Sequence, residues 1–187
     1  MKNPYEIGNT IYLRAPEVED VEGPWYQWFS DRETTKYLID RFLPNSKIKQ
    51  LNYFNSSIDD TSVILAIVDK KTDKHIGMCS LSGVNWFHRF SDVAIVIGNK
   101  ESQYKIVAVE AMKLLLRVAF VRLKLINLKA AYASTNIPIS TLLNLYRFRK
   151  VGIYKNICYV DGKYTDLELT QLDRSDWLKR NLHVLDE

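Results

Sequence analysis

Between Val93 and Leu123 the chain passes from an apolar pentapeptide, Val93-Ala94-Ile95-Val96-Ile97, through Gly98 and a polar connection, Asn99 to Lys105, into a long helical pattern. Val109, Met112, Leu116, Phe120 and Leu123 recur at steps of 3, 4, 4 and 3, the spacing that lays one apolar stripe along a helix. A strand feeding a helix N-terminus gathers unpaired main-chain N–H groups and the positive end of the helix dipole at one point. That arrangement suits an anionic ligand, typically a pyrophosphate, here with Lys100 and Lys105 nearby. No glycine lies between Asn99 and Val151, so the connection lacks the left-handed freedom that lets a backbone wrap a phosphate closely.

The 187 residues suffice for one domain with a real core. We expect a single domain over 1–187, its core spanning about 10–172 and a short peripheral helix and tail over 173–187. A net charge of +4 suits a small anion but falls far short of the dense basic stripe of a nucleic-acid binder. No segment has the roughly 18 apolar residues of a membrane span, and the opening Met1-Lys2-Asn3-Pro4-Tyr5 has no signal-peptide run. Cys79 and Cys158 each fall inside an expected strand, without metal-ligand spacing, and read as buried thiols of a reducing compartment. A cytoplasmic address is expected, with no metal, no membrane and no nucleic acid as partners.

Along the chain, Ile11 to Arg14 reads as a strand and Glu17 to Phe29 as a helix that Gly23-Pro24 must kink. A second helical piece is expected through Thr34, Tyr37 and Leu38. A third runs from Pro44-Asn45-Ser46 to about Ser57, with Ile48, Leu51, Tyr53 and Phe54 as its contacts. Strands over 63–68, 75–84 and 93–97, joined by polar turns, predict an antiparallel meander. After the long helix come a strand over 128–134, a helix entered through Thr135-Asn136-Ile137-Pro138, and two strands, 152–160 and 164–172, around Asp161-Gly162, a strong hairpin signal.

In order and spacing this resembles the GNAT superfamily of N-acetyltransferases, whose loop reads Gln/Arg-x-x-Gly-x-Gly/Ala before Glu-Ala. Gln103, Ala108, Glu110 and Ala111 fall on those positions, with Ile106 where the family has its inner glycine. Further segments resemble the ribosomal-protein and nucleotide-sugar branch. These are Leu13-Arg14 with Glu19-Asp20, Trp28-Phe29-Ser30-Asp31, His75-Ile76-Gly77, Asn85-Trp86-Phe87-His88-Arg89, Phe148 to Gly152, and Asp161 to Asp166. The resemblance implies an α/β (α+β) fold, with helices on both faces of a mixed, mostly antiparallel sheet and a splayed central cofactor cleft. It also implies acetyl-CoA as co-substrate, held by Ile95, Val96, Ile97, the run Gln103, Tyr104, Lys105, Ile106, Val107 and Ala108, and Asn136.

Acetyl transfer from a thioester needs the amine held in line, its proton removed and the carbonyl polarised. Asp92 falls where this branch often has a glutamate and is the candidate base; the alternative is a strand-end carboxylate satisfied by Arg89. His88 carries the side chain most often used to move a proton but also fits a surface or packing role. Tyr146 is the candidate acid, because Leu143 occupies the position of the family's frequent tyrosine; at helical spacing beside Leu142 and Leu145 it also fits the core. Asn136 either bonds the pantetheine or caps its helix. Trp28, Trp86 and Arg89 are candidate acceptor contacts, against a plain core role for each aromatic. The expected reaction is acetyl transfer to a small primary amine, most plausibly an amino sugar on a nucleotide carrier. A non-catalytic binding module of the same fold and a protein N-terminal acetyltransferase stay open, as does a homodimer.

Overall fold

The computed structural model describes residues 1–38, 43–56, 61–98 and 104–181, with only the main chain of Tyr104. Its strands are β1 Glu6–Ile7, β2 Ile11–Arg14, β3 Val63–Asp69, β4 His75–Asn85, β5 Phe90–Ile97, β6 Asn127–Ala133, β7 Arg149–Val160 and β8 Lys163–Asp173. They form one eight-stranded sheet in the order β1-β2-β3-β4-β5-β6-β8-β7. Only β5 and β6 pair in parallel, as the intervening helix requires. The fold class is the one the resemblance implies.

The local signals set most of these elements. Asp161 and Gly162 both take positive φ, 50° and 81°, so the β7–β8 turn has the twist that hairpins favour. β5 begins at Phe90, three residues before the apolar run, because Asn85 Oδ1 accepts the His88 N–H at 2.7 Å and tightens the preceding turn. β7 likewise starts at Arg149 rather than Gly152. β1 has no local signal; it exists because Glu6 and Ile7 pair with Leu13 and Tyr12.

Helices cover both faces. On one lie α1 Val18–Asp20, α2 Tyr26–Trp28 and α3 Lys47–Ser56. The kink expected at Gly23-Pro24 falls in a π-type turn between α1 and α2, where Gly23 has ψ −154°. Residues 31–38 form successive turns and not the expected helical piece: Asp31 takes the Thr34 N–H on its carboxylate at 2.7 Å and the Thr35 N–H on its carbonyl at 3.0 Å. The contacts expected of α3 are also corrected. Ile48 and Leu51 face solvent while Gln50 is buried, and Phe54 packs against the core of this face.

The other face carries α4 Tyr104–Arg117, extended by a π-type segment Val118–Arg122, with α5 Ile137–Leu145 and α6 Arg174–Leu178. Met112, Leu116 and Phe120 are buried as the stripe predicts, joined by Ala111, Leu115, Val118 and Ala119. Val109, at the head of the stripe, is 37% exposed instead. The α6 helix after Asp173 is not loosely attached: Trp177 is buried with its ring centroid 5.4 Å from that of Phe120, a burial that stabilises by about 1.5–3 kcal/mol. Both cysteines are thiols; Cys79 is buried, and Cys158 only half so, contrary to the expectation for both. Burial pushes the Cys79 thiol far up from its ordinary range, which leaves it unreactive.

Candidate active site

The site begins where two strands part. β5 and β6 are in register at Phe90–Asn127, Ser91–Leu128 and Asp92–Lys129, and pairing stops there, although β5 runs on to Ile97 and β6 to Ala133. Alternation along β5 decides which groups are left open. The Gly98 N–H donates to the Ile76 carbonyl on the β4 side at 3.0 Å, and the Arg89 carbonyl accepts from the Ile126 N–H on the β6 side at 2.7 Å. Even-numbered residues therefore spend their main chain on β4, and odd-numbered ones turn theirs toward β6. Among the described residues, the donors and acceptors left open beyond Asp92 belong to Val93, Ile95 and Ile97. Of the three strand residues expected at a cofactor, Ile95 and Ile97 offer main-chain groups. The Val96 carbonyl instead faces Gly77, where a Cβ would lie 2.6 Å from it.

From Asp92 to Ile97 the open edge covers roughly 17 Å at the usual rise, ending near the start of α4. Gln103, like Lys100, lies outside the described residues. Lys105, Ile106, Val107 and Ala108 make the first turns of α4 in ordinary helical geometry, with none at positive φ. A glycine is thus not needed for this entry. Lys105 and Ile106 are exposed, Val107 is buried, and Ala108 packs partly against the core. The positive end of the helix dipole remains whatever the side chains are.

α4 is held in place from both sides. The Glu110 carboxylate accepts the main-chain N–H groups of Asn9 and Thr10 and the Thr10 hydroxyl. Tyr146, at the end of α5, donates its phenol proton to the Val109 carbonyl at 2.6 Å. Burial first, then the Glu110 charge, pushes this phenol up to about 12. Its single proton is engaged in fastening α5 to α4. Asn136 caps α5, its Oδ1 accepting the Ile139 N–H at 3.4 Å; that bond leaves the side-chain amide hydrogens out.

At the vertex, Asp92 and Lys129 form an ion pair, Oδ2 to Nζ 3.1 Å, with both side chains about half exposed. Lys129 was not among the sequence candidates, and Arg89, the partner expected for Asp92, sits in the turn with φ 54°. The inward alternation of Leu128, Ala130 and Tyr132 does place Lys129 on the same face as Asp92, but the β5–β6 register that joins them is not written locally. Phe90 shares the face, its ring centroid 4.7 Å from Lys129 Nζ.

The turn beyond Phe90 projects Phe87, 88% exposed, and Trp86, 46% exposed, while His88 meets Phe87 edge-on and stacks toward Phe90. Trp28 is brought elsewhere. It is buried in the core of the α1–α3 face, edge-on to His75, with its ring against Gly98, where a Cβ would lie 1.9 Å away. It supports the end of β5 from beneath. Near it Asp20 binds Arg14 through both carboxylate oxygens, at 2.6 and 2.7 Å. His75 Nδ1 stands 3.2 Å from Asp20 but is too poorly aligned for a hydrogen bond. Among the described residues no group of three or more His, Cys, Asp or Glu is placed to hold a metal, and no helix is long and apolar enough to cross a membrane.

A sheet parted between two parallel central strands joined by a long helix is the frame on which acyl-CoA N-acyltransferases are built. Residues 10–149 match the acetyltransferase (GNAT) domain family, and the chain belongs to that family. Spermidine N-acetyltransferase from Vibrio cholerae, in complex with CoA and spermine, superposes with a TM-score of 0.82 at 22% identity, over 91% of this chain and 99% of that one. RimL, a ribosomal alpha-N-protein acetyltransferase in complex with coenzyme A, gives 0.79 at 13% identity over 91% and 98%. A GNAT-family acetyltransferase from Bacillus anthracis gives 0.75 at 16% over 91% and 98%. No curated protein matches the chain in sequence.

Proposed function

We propose that the protein transfers the acetyl group of acetyl-CoA to a small primary amine, an amino sugar on a nucleotide carrier. The observation that carries the reading is the parting of β5 from β6 after Asp92. The open main-chain groups of Ile95 and Ile97 fit the two amides of a pantetheine arm, taken up like an added strand. The α4 first turn, with Lys105, fits the pyrophosphate, and Asn136 fits the arm through its amide hydrogens.

With the arm so placed the thioester reaches the vertex. Asp92 accepts a proton from the acceptor ammonium, directly or through one water. The freed amine nitrogen bonds to the acetyl carbon, the carbon–sulfur bond breaks, and CoA leaves as the thiol after taking up a proton. The net change is ammonium plus acetyl-CoA to amide, CoA thiol and one proton. Trp86 would stack on a base or sugar ring and Arg89 would meet a nucleotide phosphate, with His88 the second candidate for moving the proton. Tyr146 contributes by holding α5 against α4.

The test is to incubate the protein with acetyl-CoA and a panel of amines, including nucleotide-linked amino sugars, polyamines and N-terminal peptides, while following free thiol. Turnover of the nucleotide-linked amino sugars above the rest is expected, and Asp92→Asn should lower it with little change in CoA affinity. Titration calorimetry should give micromolar acetyl-CoA affinity, about 8 kcal/mol. No binding at millimolar coenzyme would instead support a non-catalytic module built on the same fold, a reading that the exposed Ile106 in the α4 entry would favour.

A further inference from the structure

We infer that the Asp92–Lys129 pair is a charge-exchange receptor that selects amines carrying an anionic group beside the amine, and that it works against polyamines. The inference rests on the acetyltransferase reading and narrows its substrate class.

The two side chains occupy the last paired position before β5 and β6 part, where thioester and acceptor must meet. They point to the face opposite the main core, with exposed Ser82 and Ala131 as sheet neighbours. Their exposures, 51% for Asp92 and 45% for Lys129, leave the pair open to a ligand. Lys129 does not swing freely, since its ammonium lies over the Phe90 ring, an attraction that keeps the charge near the vertex.

A base that already holds a cation imposes a condition on what can reach it. An incoming ammonium must displace Lys129 from Asp92, and a half-exposed ion pair opens at little cost. A simple amine leaves Lys129 unpartnered a few ångströms away. A polyamine brings a second ammonium toward that same charge, and a like charge there works against its approach. An amine with a phosphate or carboxylate on a neighbouring carbon gives Lys129 a new partner as Asp92 takes the ammonium. One ion pair is then exchanged for two. The basic balance of the chain, +4, works in the same direction at longer range.

The experiment compares kcat/KM for glucosamine 1-phosphate, glucosamine and spermidine with the full chain at one pH and ionic strength. The wild type should prefer the phosphate over glucosamine by about tenfold or more, with spermidine poorest. Lys129→Met, which keeps the apolar stem on Phe90, should bring the phosphate-to-glucosamine ratio to about one, Lys129→Glu should reverse the order toward spermidine, and Lys129→Arg should keep the wild-type order. A wild type indifferent to the phosphate, a preference for spermidine, or an unchanged ratio in Lys129→Met would overturn the inference while leaving the acetyltransferase reading intact. No turnover of any amine by a protein that binds acetyl-CoA would overturn both.

Discussion

Glu110, on the second turn of α4, accepts the main-chain N–H of Thr10 at 3.0 Å, a hundred residues away in the chain. The same carboxylate takes the Asn9 N–H and the Thr10 hydroxyl, and it lies so close to Gly8 that a Cβ there would overlap its Oε1. This residue sits in the Glu-Ala step of the family pattern, and its partners show its job: it ties the start of α4 to the first hairpin. Glu110→Ala should lower stability by about 1–3 kcal/mol, the range for a lost charge-assisted bond with donors left over. Urea unfolding should show a lower midpoint with an unchanged slope.

Asp20 gives the fold its acid sensitivity. Burial alone would raise this carboxyl; the Arg14 guanidinium, with the Glu17 N–H, outweighs it and holds the group well below the usual carboxylate range. In the unfolded chain it titrates near 3.9. As pH falls the unfolded chain therefore binds the proton first, so the stabilisation is complete above about pH 4 and is withdrawn progressively below it. Melting points measured from pH 6 down to 2 should fall less steeply for Asp20→Asn than for wild type. Arg14→Met, which strands the buried carboxylate, should cost about 3–5 kcal/mol at neutral pH.

Gly98 and Trp28 should be coupled. A methyl group at position 98 would collide with the indole, so Gly98→Ala must displace either the ring or the end of β5. Its effect on stability and on CoA affinity should shrink when Trp28→Leu provides room. A double-mutant cycle should return an interaction of about 0.5–3 kcal/mol; additive effects would mean that Trp28 does not brace this strand end.

At Asn136 the cap and the proposed arm contact use different atoms, which allows a clean separation. Asn136→Asp keeps the capping oxygen and should preserve stability, yet it should weaken CoA binding by about 1 kcal/mol through loss of the amide donors. Asn136→Ala should lose both, including about 1 kcal/mol of stability. Calorimetry on the two variants beside thermal melts reads the two effects independently.

The elements legible in the sequence were those whose signals are local. The 161–162 turn, the capped start of α5 and the strand-to-helix passage around Gly98 each depend on a few adjacent residues. The turns at 31–38 resemble a helix in sequence because Thr34, Tyr37 and Leu38 fall at helical spacing, while the Thr34 and Thr35 N–H groups return to Asp31. The site was legible as a neighbourhood and not as a wiring. Asp92 was visible, but its pairing with Lys129 depends on a parallel register set across an entire helix. Tyr146, at helical spacing beside Leu142 and Leu145, fits the core more readily than an acid role, and its phenol lies on the Val109 carbonyl. Trp28 carried no sign of which side of β5 it would support.

The parting of β5 from β6 also bears on self-association. Open strand edges recruit other chains when they lie at the rim of a sheet, where a new strand can be added and a further one after it. This one lies in the middle, with β4 behind it and β6 diverging in front. A guest strand would be enclosed on both sides and could not be extended further. Growth ends with a single guest, so the protein can keep unmet peptide groups ready for a ligand without offering a template for fibres. Its outer rim at β7 is guarded separately, by an irregular stretch between Tyr154 and Cys158 in which Lys155 is held by Asp166 and Asn156 turns to φ 52°.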